Sequence, residues 1–348
     1  MLIYWTLFLV LTAGTVLSHP NRDRRPWLLF TIFASIPTIL MIGLRWKIGP
    51  DWAAYAEIFQ YTRLFTLSQV LVHTDPGFVL LNWELGQIES PFWVLNLACG
   101  AILVVGLTAF CLRQLNPWLS YLIAFPYLVI VIGMSGARQS AALGFLFLAL
   151  NAFEDRRILR MTTLAVIGAL FHSSLVLMLP LLLFSYGQKS VQRAAILCLV
   201  LIVFLFEFQH AFTVYAARYS SFKIQSGGLV YRLAMNGLAA VLFLAFRHRL
   251  GFAEHQLRLW RNIAFCTLGL VLVALVVPSS TAVDRFLLYL FPLQFAVLGR
   301  LPGALVPERS PSFVTVAVIG YAVAVQLMFL NFGTYSSFYV PYRSIFDA

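Results

Sequence analysis

What confines this chain most is the recurrence of apolar runs long enough to cross a lipid bilayer. A spanning helix needs about 20 mostly apolar residues, and fewer when aromatic or basic flanks reach the interface. Such runs occupy 1–18, 27–44, 91–112, 118–134, 138–153, 194–208, 229–246, 262–278, 285–299 and 313–331. A further apolar stretch, 159–186, is too long for one plain helix and is interrupted by His172, Ser173 and Ser174. Read as a broken segment that crosses twice, it brings the expected total to about twelve crossings. Only 11% of the 348 residues are charged against 61% hydrophobic, where soluble domains carry about 25% charged residues. The expected fold is all-α, a polytopic transmembrane helical bundle forming a single integral membrane domain over 1–348, with no internal repeat and no soluble domain.

The same composition removes other classes. Aromatic content of 15% argues against disorder. Cys99, Cys111, Cys198 and Cys266 all lie inside apolar runs, which leaves no disulfide framework or zinc-ligand pairing. The net charge of +11 does not imply nucleic acid, because no long polar segment carries a basic stripe. Its placement matters more. If the first connection, with Arg22, Arg24 and Arg25, is cytoplasmic, counting crossings puts Arg113, the cluster Arg156, Arg157 and Arg160, Lys189 and Arg193 on that side as well. Arg247, Arg249, Arg258, Arg261, Arg300 and Arg309 follow, so most cations lie inside, as the positive-inside trend favours. This requires that 76–90 does not cross. Both chain ends then lie outside, and the first segment reads as a reversed anchor and not as a signal peptide. Arg45, Lys47, Arg63, Arg138, Arg218, Lys223, Arg232, Arg285 and Arg343 fall on the outer side, against the trend. Such cations need partners: lipid phosphates reached by snorkelling, or an anionic ligand.

Polar residues gather in four places. The outer loop 45–90 opens with Arg45, Trp46 and Lys47, and its Gly49-Pro50 turn directly precedes Asp51, which is expected to head a short interfacial helix with Tyr55 on the same face. Asp51 is either a helix cap or a carboxylate ready to accept a proton. In the same loop, Asp75-Pro76-Gly77 starts an amphipathic stretch carrying Glu84, which faces either the site or water. The second place is Gly136-Ala137-Arg138-Gln139-Ser140, an arginine at the outer start of a small-residue helix, where the helix field also favours anions; Arg138 either holds an anion or pairs with a carboxylate such as Asp51. The third is His172 at the apex of the broken segment, where interruption is tolerated if the backbone lines a cavity or is buried in protein. The fourth is Asp284-Arg285 with Tyr289, followed by a tyrosine-rich tail ending in Tyr342 and Arg343.

Taken in order, Arg45 to Gly49 with Asp51 and Tyr55, then Arg138, Gln139 and Ala142, then Phe171-His172-Ser173, then Arg285, Tyr289, Tyr342 and Arg343 resemble the landmarks of the EpsG family of exopolysaccharide proteins, which is similar to Wzy-type O-antigen and capsule polymerases. The likeness spans almost the whole chain, although Asp284 stands where a second basic residue is expected and Trp46 and Pro50 are idiosyncratic. The resemblance implies a GT-C-like glycosyltransferase of the bacterial cytoplasmic (inner) membrane, active on its periplasmic or extracellular face. Its donor and acceptor would be undecaprenyl-diphosphate-linked oligosaccharides, and a chain-length regulator protein is a possible partner.

Cleaving a glycosyl diphosphate makes an anionic leaving group, so preorganised cations are the chief requirement. Arg138 and Arg285 are first candidates for holding the diphosphate, with Arg45 and Arg343 as supports, because guanidinium forks match phosphate oxygens. For the acceptor hydroxyl the candidate bases are Asp51, then His172, then Glu84. Tyr55, Gln139, Tyr289 and Tyr342 are further substrate contacts. With no Asp-x-Asp pair in the outer loops and no cluster of hard oxygen ligands, the expected reaction uses no metal and no cofactor. A polysaccharide or lipid transporter and a membrane acyltransferase with His172 as base are the rival readings.

Overall fold

A computed structural model describes residues 1–17, 24–187, 228–276, 281–306 and 312–347. The expected crossing at 194–208 and the outer cations Arg218 and Lys223 lie outside the described residues.

The described chain is helical, and its one isolated bridge pairs Arg45 with Ser344. Its elements are α1 (Leu2–Leu17), α2 (Arg24–Gly43), α3 (Trp52–Thr62), α4 (Leu67–Leu71), α5 (Pro76–Gln87), α6 (Phe92–Cys111) and α7 (Pro117–Ser135). They continue as α8 (Ala137–Glu154), α9 (Ile158–Phe171), α10 (Met178–Tyr186), α11 (Leu229–Phe246), α12 (Glu254–Val276), α13 (Thr281–Leu290), α14 (Pro292–Leu298), α15 (Leu301–Leu305) and α16 (Phe313–Phe332). Among the described residues, 5 helices are long and apolar enough to cross a membrane, namely α6, α7, α11, α16 and the Glu254–Ala274 part of α12. Val105, Val230, Val241, Phe265, Leu272, Phe313 and Val316 are exposed large apolar side chains on such helices, as lipid-facing positions require.

Two expected segments depart from single straight helices. The 285–299 run is divided at Phe291 into α13 and α14, because Pro292 has no N–H for the helix ladder and its ring crowds the preceding turn. Within α7, Phe125–Ile132 is wound as a π-helix with Pro126 as its second residue, where the missing N–H leaves the α-helical ladder interrupted. The break in 159–186 falls at the expected place: His172 adopts an extended backbone (φ −153°, ψ 111°) between α9 and a 3₁₀ turn, Ser173–Leu177.

The centre of the bundle is the parallel pair α6 and α8, joined through the returning α7, which approach at small residues. A Cβ on Gly106 would stand 2.1 Å from the Gly144 carbonyl oxygen, and one on Gly144 would stand 2.2 Å from that of Ile102. Small-residue contacts let two membrane helices bring their backbones together and gain dispersion contacts along their length. A second, smaller apolar cluster of Tyr55, Phe59, Phe78, Leu95, Cys99, Ala137 and Ala141 ties α3 and α5 to the adjoining ends of α6 and α8. The loop helices are thereby fixed over the end of α8 that carries Arg138.

Candidate functional site

At the 18-residue α8, the two ends of the bundle are set about 27 Å apart by helix rise alone. At its C-terminal end, Arg113 forks onto Asp155 at 2.6 and 3.1 Å. Nearby, Arg300 is buried against Phe252 and donates to Gln114. The opposite end carries the candidate site.

There, the Asp75-Pro76 turn places Pro76 at the first helical position of α5 and Asp75 at its cap, yet the carboxylate makes no cap hydrogen bond. It reaches away from its own helix. Oδ1 accepts from the Ser173 backbone N–H at 2.9 Å, and Oδ2 accepts from Arg138 Nη1 at 2.7 Å. The His172 Nδ1 lies 3.7 Å from the same Oδ2, outside hydrogen-bond range. His172 is buried, and neither ring nitrogen has a hydrogen-bond partner among the described residues. Arg138 lies over two rings, with its guanidinium carbon 5.7 Å from the Tyr55 centroid and 5.9 Å from that of Phe78. Its side chain keeps 34% exposure while that of Asp75 keeps 4%, so the pair is open on the arginine side only.

Burial alone would raise the Asp75 pKa; the His172 ring, the Ser173 amide and the Arg138 charge outweigh it and hold the carboxyl down at about 2. Asp75 is therefore an anion at any physiological pH. Asp51 sits exposed at the head of α3. Partial desolvation by the protein beneath it raises its pKa, and the Arg138 charge opposes that shift.

Arg285 comes from a distant stretch of sequence to the same end. Its helix α13 packs against the 3₁₀ turn that follows His172, and Arg138 and Arg285 are both within electrostatic range of the His172 ring. Tyr289, one turn on, is fully buried with its hydroxyl unpartnered among the described residues, and it feels both Asp75 and Arg285. Beside it, Asp284 is held by Arg232, which donates to Oδ2 at 2.6 Å and to the Tyr127 hydroxyl at 2.6 Å. That pair fastens α13 to α11 immediately next to Arg285.

The EpsG family profile matches residues 27–344, nearly the whole length. The chain belongs to the EpsG family. No curated protein and no solved structure matches it. The EpsG family is Wzy-polymerase-like and associated with polysaccharide polymerisation.

In this EpsG chain the sequence-derived candidates separate into groups. Arg138, Tyr55, His172, Arg285 and Tyr289 are brought together, with Asp51 exposed and within electrostatic range of Arg138. Gln139 is half-buried and folds its side chain back toward Gly136. Arg138 pairs with Asp75 and not with Asp51, which corrects the expected partner: Asp75 reaches it from the α5 cap while Asp51 makes no cap bond and stays exposed. Glu84 is exposed and away from the site, because α5 buries the stripe Phe78, Val79, Asn82 and Gly86, and Glu84 falls about 200° round the helix from Asn82. Arg45 is buried at 1% exposure and donates to the Ile42 carbonyl oxygen at 2.6 Å, so it is a packing element of the loop base. Arg343 has an exposed side chain and contributes its backbone oxygen to Trp46 N–H. Tyr342 donates to the Met41 carbonyl oxygen at 2.9 Å, a latch and not an open contact.

Asp75 is the residue that sequence reasoning missed. Its signal was available only as an acid before Pro-Gly, which reads as a turn; the contact to Arg138 spans 63 residues. Among the described residues, no group of three or more His, Cys, Asp or Glu side chains is placed to hold a metal ion.

Proposed function

We propose that this EpsG chain polymerises undecaprenyl-diphosphate-linked oligosaccharide repeats into exopolysaccharide, capsule or O-antigen. On this reading it does so at the outer face of the bacterial cytoplasmic membrane, in a GT-C-like bundle of about twelve crossings, with no metal. The observation that carries the reading is the convergence of Arg138 and Arg285, distant in sequence, on a buried histidine and carboxylate at one end of an apolar helical bundle.

Chemically, the acceptor sugar hydroxyl loses its proton to His172 Nε2 as its oxygen bonds to the donor anomeric carbon. The bond from that carbon to the phosphate oxygen breaks, its electron pair leaves with the lipid diphosphate, and the growing chain is moved onto the new lipid-linked repeat. Charge accumulates on the departing phosphate, where fixed guanidinium donors in a poorly solvated site are worth far more than in water. Arg138 and Arg285 supply them, and neither loses its charge to the reaction. Asp51, exposed and within electrostatic range of Arg138, orients the incoming acceptor hydroxyl. His172 is the better base of the two, because its nitrogens are free and enclosed with the arginines whereas Asp51 is exposed.

The test is reconstitution of the purified protein with synthetic lipid-diphosphate repeats, read as a ladder of chain lengths. Wild type gives a ladder and Arg138→Ala, still folded, gives none, a loss of about a hundred- to a thousandfold. An unchanged ladder in that variant removes Arg138 from the mechanism, and a ladder reversibly abolished by chelator overturns metal independence.

A further inference from the structure

One carboxylate oxygen at the site has two claimants. Asp75 Oδ1 is fixed by the Ser173 amide at 2.9 Å, so the carboxylate cannot turn away. Oδ2 is held by Arg138 at 2.7 Å, and His172 Nδ1 waits 3.7 Å from that same atom with no hydrogen bond of its own. Arg138 is open to the outside and Asp75 is not. An arriving anion therefore meets the arginine and not the acid.

We propose that Asp75 is a positioning residue controlled by the substrate: a lipid diphosphate draws the Arg138 guanidinium off Asp75 Oδ2, and the carboxylate oxygen, no longer pulled toward the arginine, closes on His172 and accepts its Nδ1–H. This rests on the polymerase reading and specifies how its base is made ready. A closure of about 0.8 Å brings the ring into hydrogen-bond range. Accepting from Nδ1–H fixes the tautomer whose Nε2 carries the lone pair, which is the form a general base needs. With no donor bound, Arg138 holds Oδ2 where it stands 3.7 Å from Nδ1, His172 has no fixed tautomer, and water at the site is not activated. The arrangement links donor binding to base readiness through one shared atom and requires no movement of a helix.

The experiment uses the full chain in nanodiscs, labelled with ¹⁵N-histidine, and farnesyl diphosphate as a short-chain probe; His172→Gln assigns the signal. The expected result is that the probe raises the Nδ1–H tautomer of His172 in wild type, and that Arg138→Ala shows this tautomer before any probe is added. Arg138→Gln, which keeps part of the stem, serves if the alanine variant does not fold. Asp75→Asn retains an oxygen for the Ser173 amide but cannot act as the anion; it should show no tautomer response, bind the probe about tenfold more tightly, and lose about a hundredfold or more in turnover. Asp75→Glu should recover part of that turnover. A residue with a merely structural role would lower binding and turnover together. Wild type that polymerises and binds the probe, with a His172 signal unmoved by the probe and by Arg138→Ala, overturns the shared-atom control alone. Wild type that neither binds the probe nor extends chains sinks the polymerase reading, and this inference with it.

Discussion

Arg138 shows why charge alone does not describe a residue's part in a site. Its guanidinium donates to a carboxylate and also lies over two aromatic rings, a combination that suits a planar, delocalised cation better than an ammonium. Arg138→Lys keeps the charge but loses that match, so the rate of chain extension should fall to below about a tenth of wild type, and recovery to near wild-type ladders would show that charge suffices. Asp75 sets a second residue-scale expectation. Its folded pKa of about 2 lies below the ordinary carboxylate value. A depressed pKa contributes stability that is complete above the unfolded value near 4 and is lost as pH falls toward 2. The contribution is about 2 kcal/mol. Thermal unfolding in detergent from pH 7 to 2.5 should therefore show wild type losing more stability than Asp75→Asn below about pH 4, and parallel curves would refute the assignment.

At the scale of elements, two glycines carry the close approach on which the site rests. The α6–α8 contact leaves no room at Gly106 or Gly144, so Gly144→Val should destabilise the bundle by about 1 to 3 kcal/mol or more through overpacking, read as a lowered unfolding temperature. Gly49 has φ +94°, and a Cβ there would stand 2.1 Å from the Met134 carbonyl oxygen. Gly49→Ala should then displace the segment leading into Asp51 and α3, and reduced chain extension with little change in global unfolding would be its signature. Much at this scale was legible in the sequence. The break at His172 announced itself because three polar residues interrupt an apolar run, and α8 was legible from its apolar length and its arginine start. What escaped was lateral. Which face α5 turns inward depends on what α9 and α3 offer it, so Glu84 read as a site residue while the acid at the cap of the same helix, Asp75, read as a turn. Long-range ion pairs such as Arg138–Asp75 and Arg232–Asp284 leave no local periodicity to detect, and the buried fate of Arg45 follows from the tail that covers it.

Across the whole molecule, that tail joins distant parts of the chain. Trp46 N–H donates to the Arg343 oxygen, Ile345 N–H to that of Leu44, and Gly49 N–H to that of Phe338. Tyr4 donates to the Tyr339 carbonyl oxygen at 2.8 Å, and Tyr339 to that of Val131 at 3.2 Å. Residues 338–345 thus strap α1, α2 and α7 around the base of the Asp51 loop. A chain stopped before Phe338 should still insert its helices but lose polymer formation and show faster proteolysis between residues 45 and 51; full activity in that variant would remove the strap from the site's architecture. The order of synthesis gives this contact a further meaning. Residues 338–345 leave the ribosome after every segment they fasten, so the loop that carries Asp51 stays unbraced while the preceding helices enter the lipid. A nascent chain built this way holds its Asp51 loop unfastened during insertion, and the loop gains its brace only when the strap at 338–345 has followed the helices it joins.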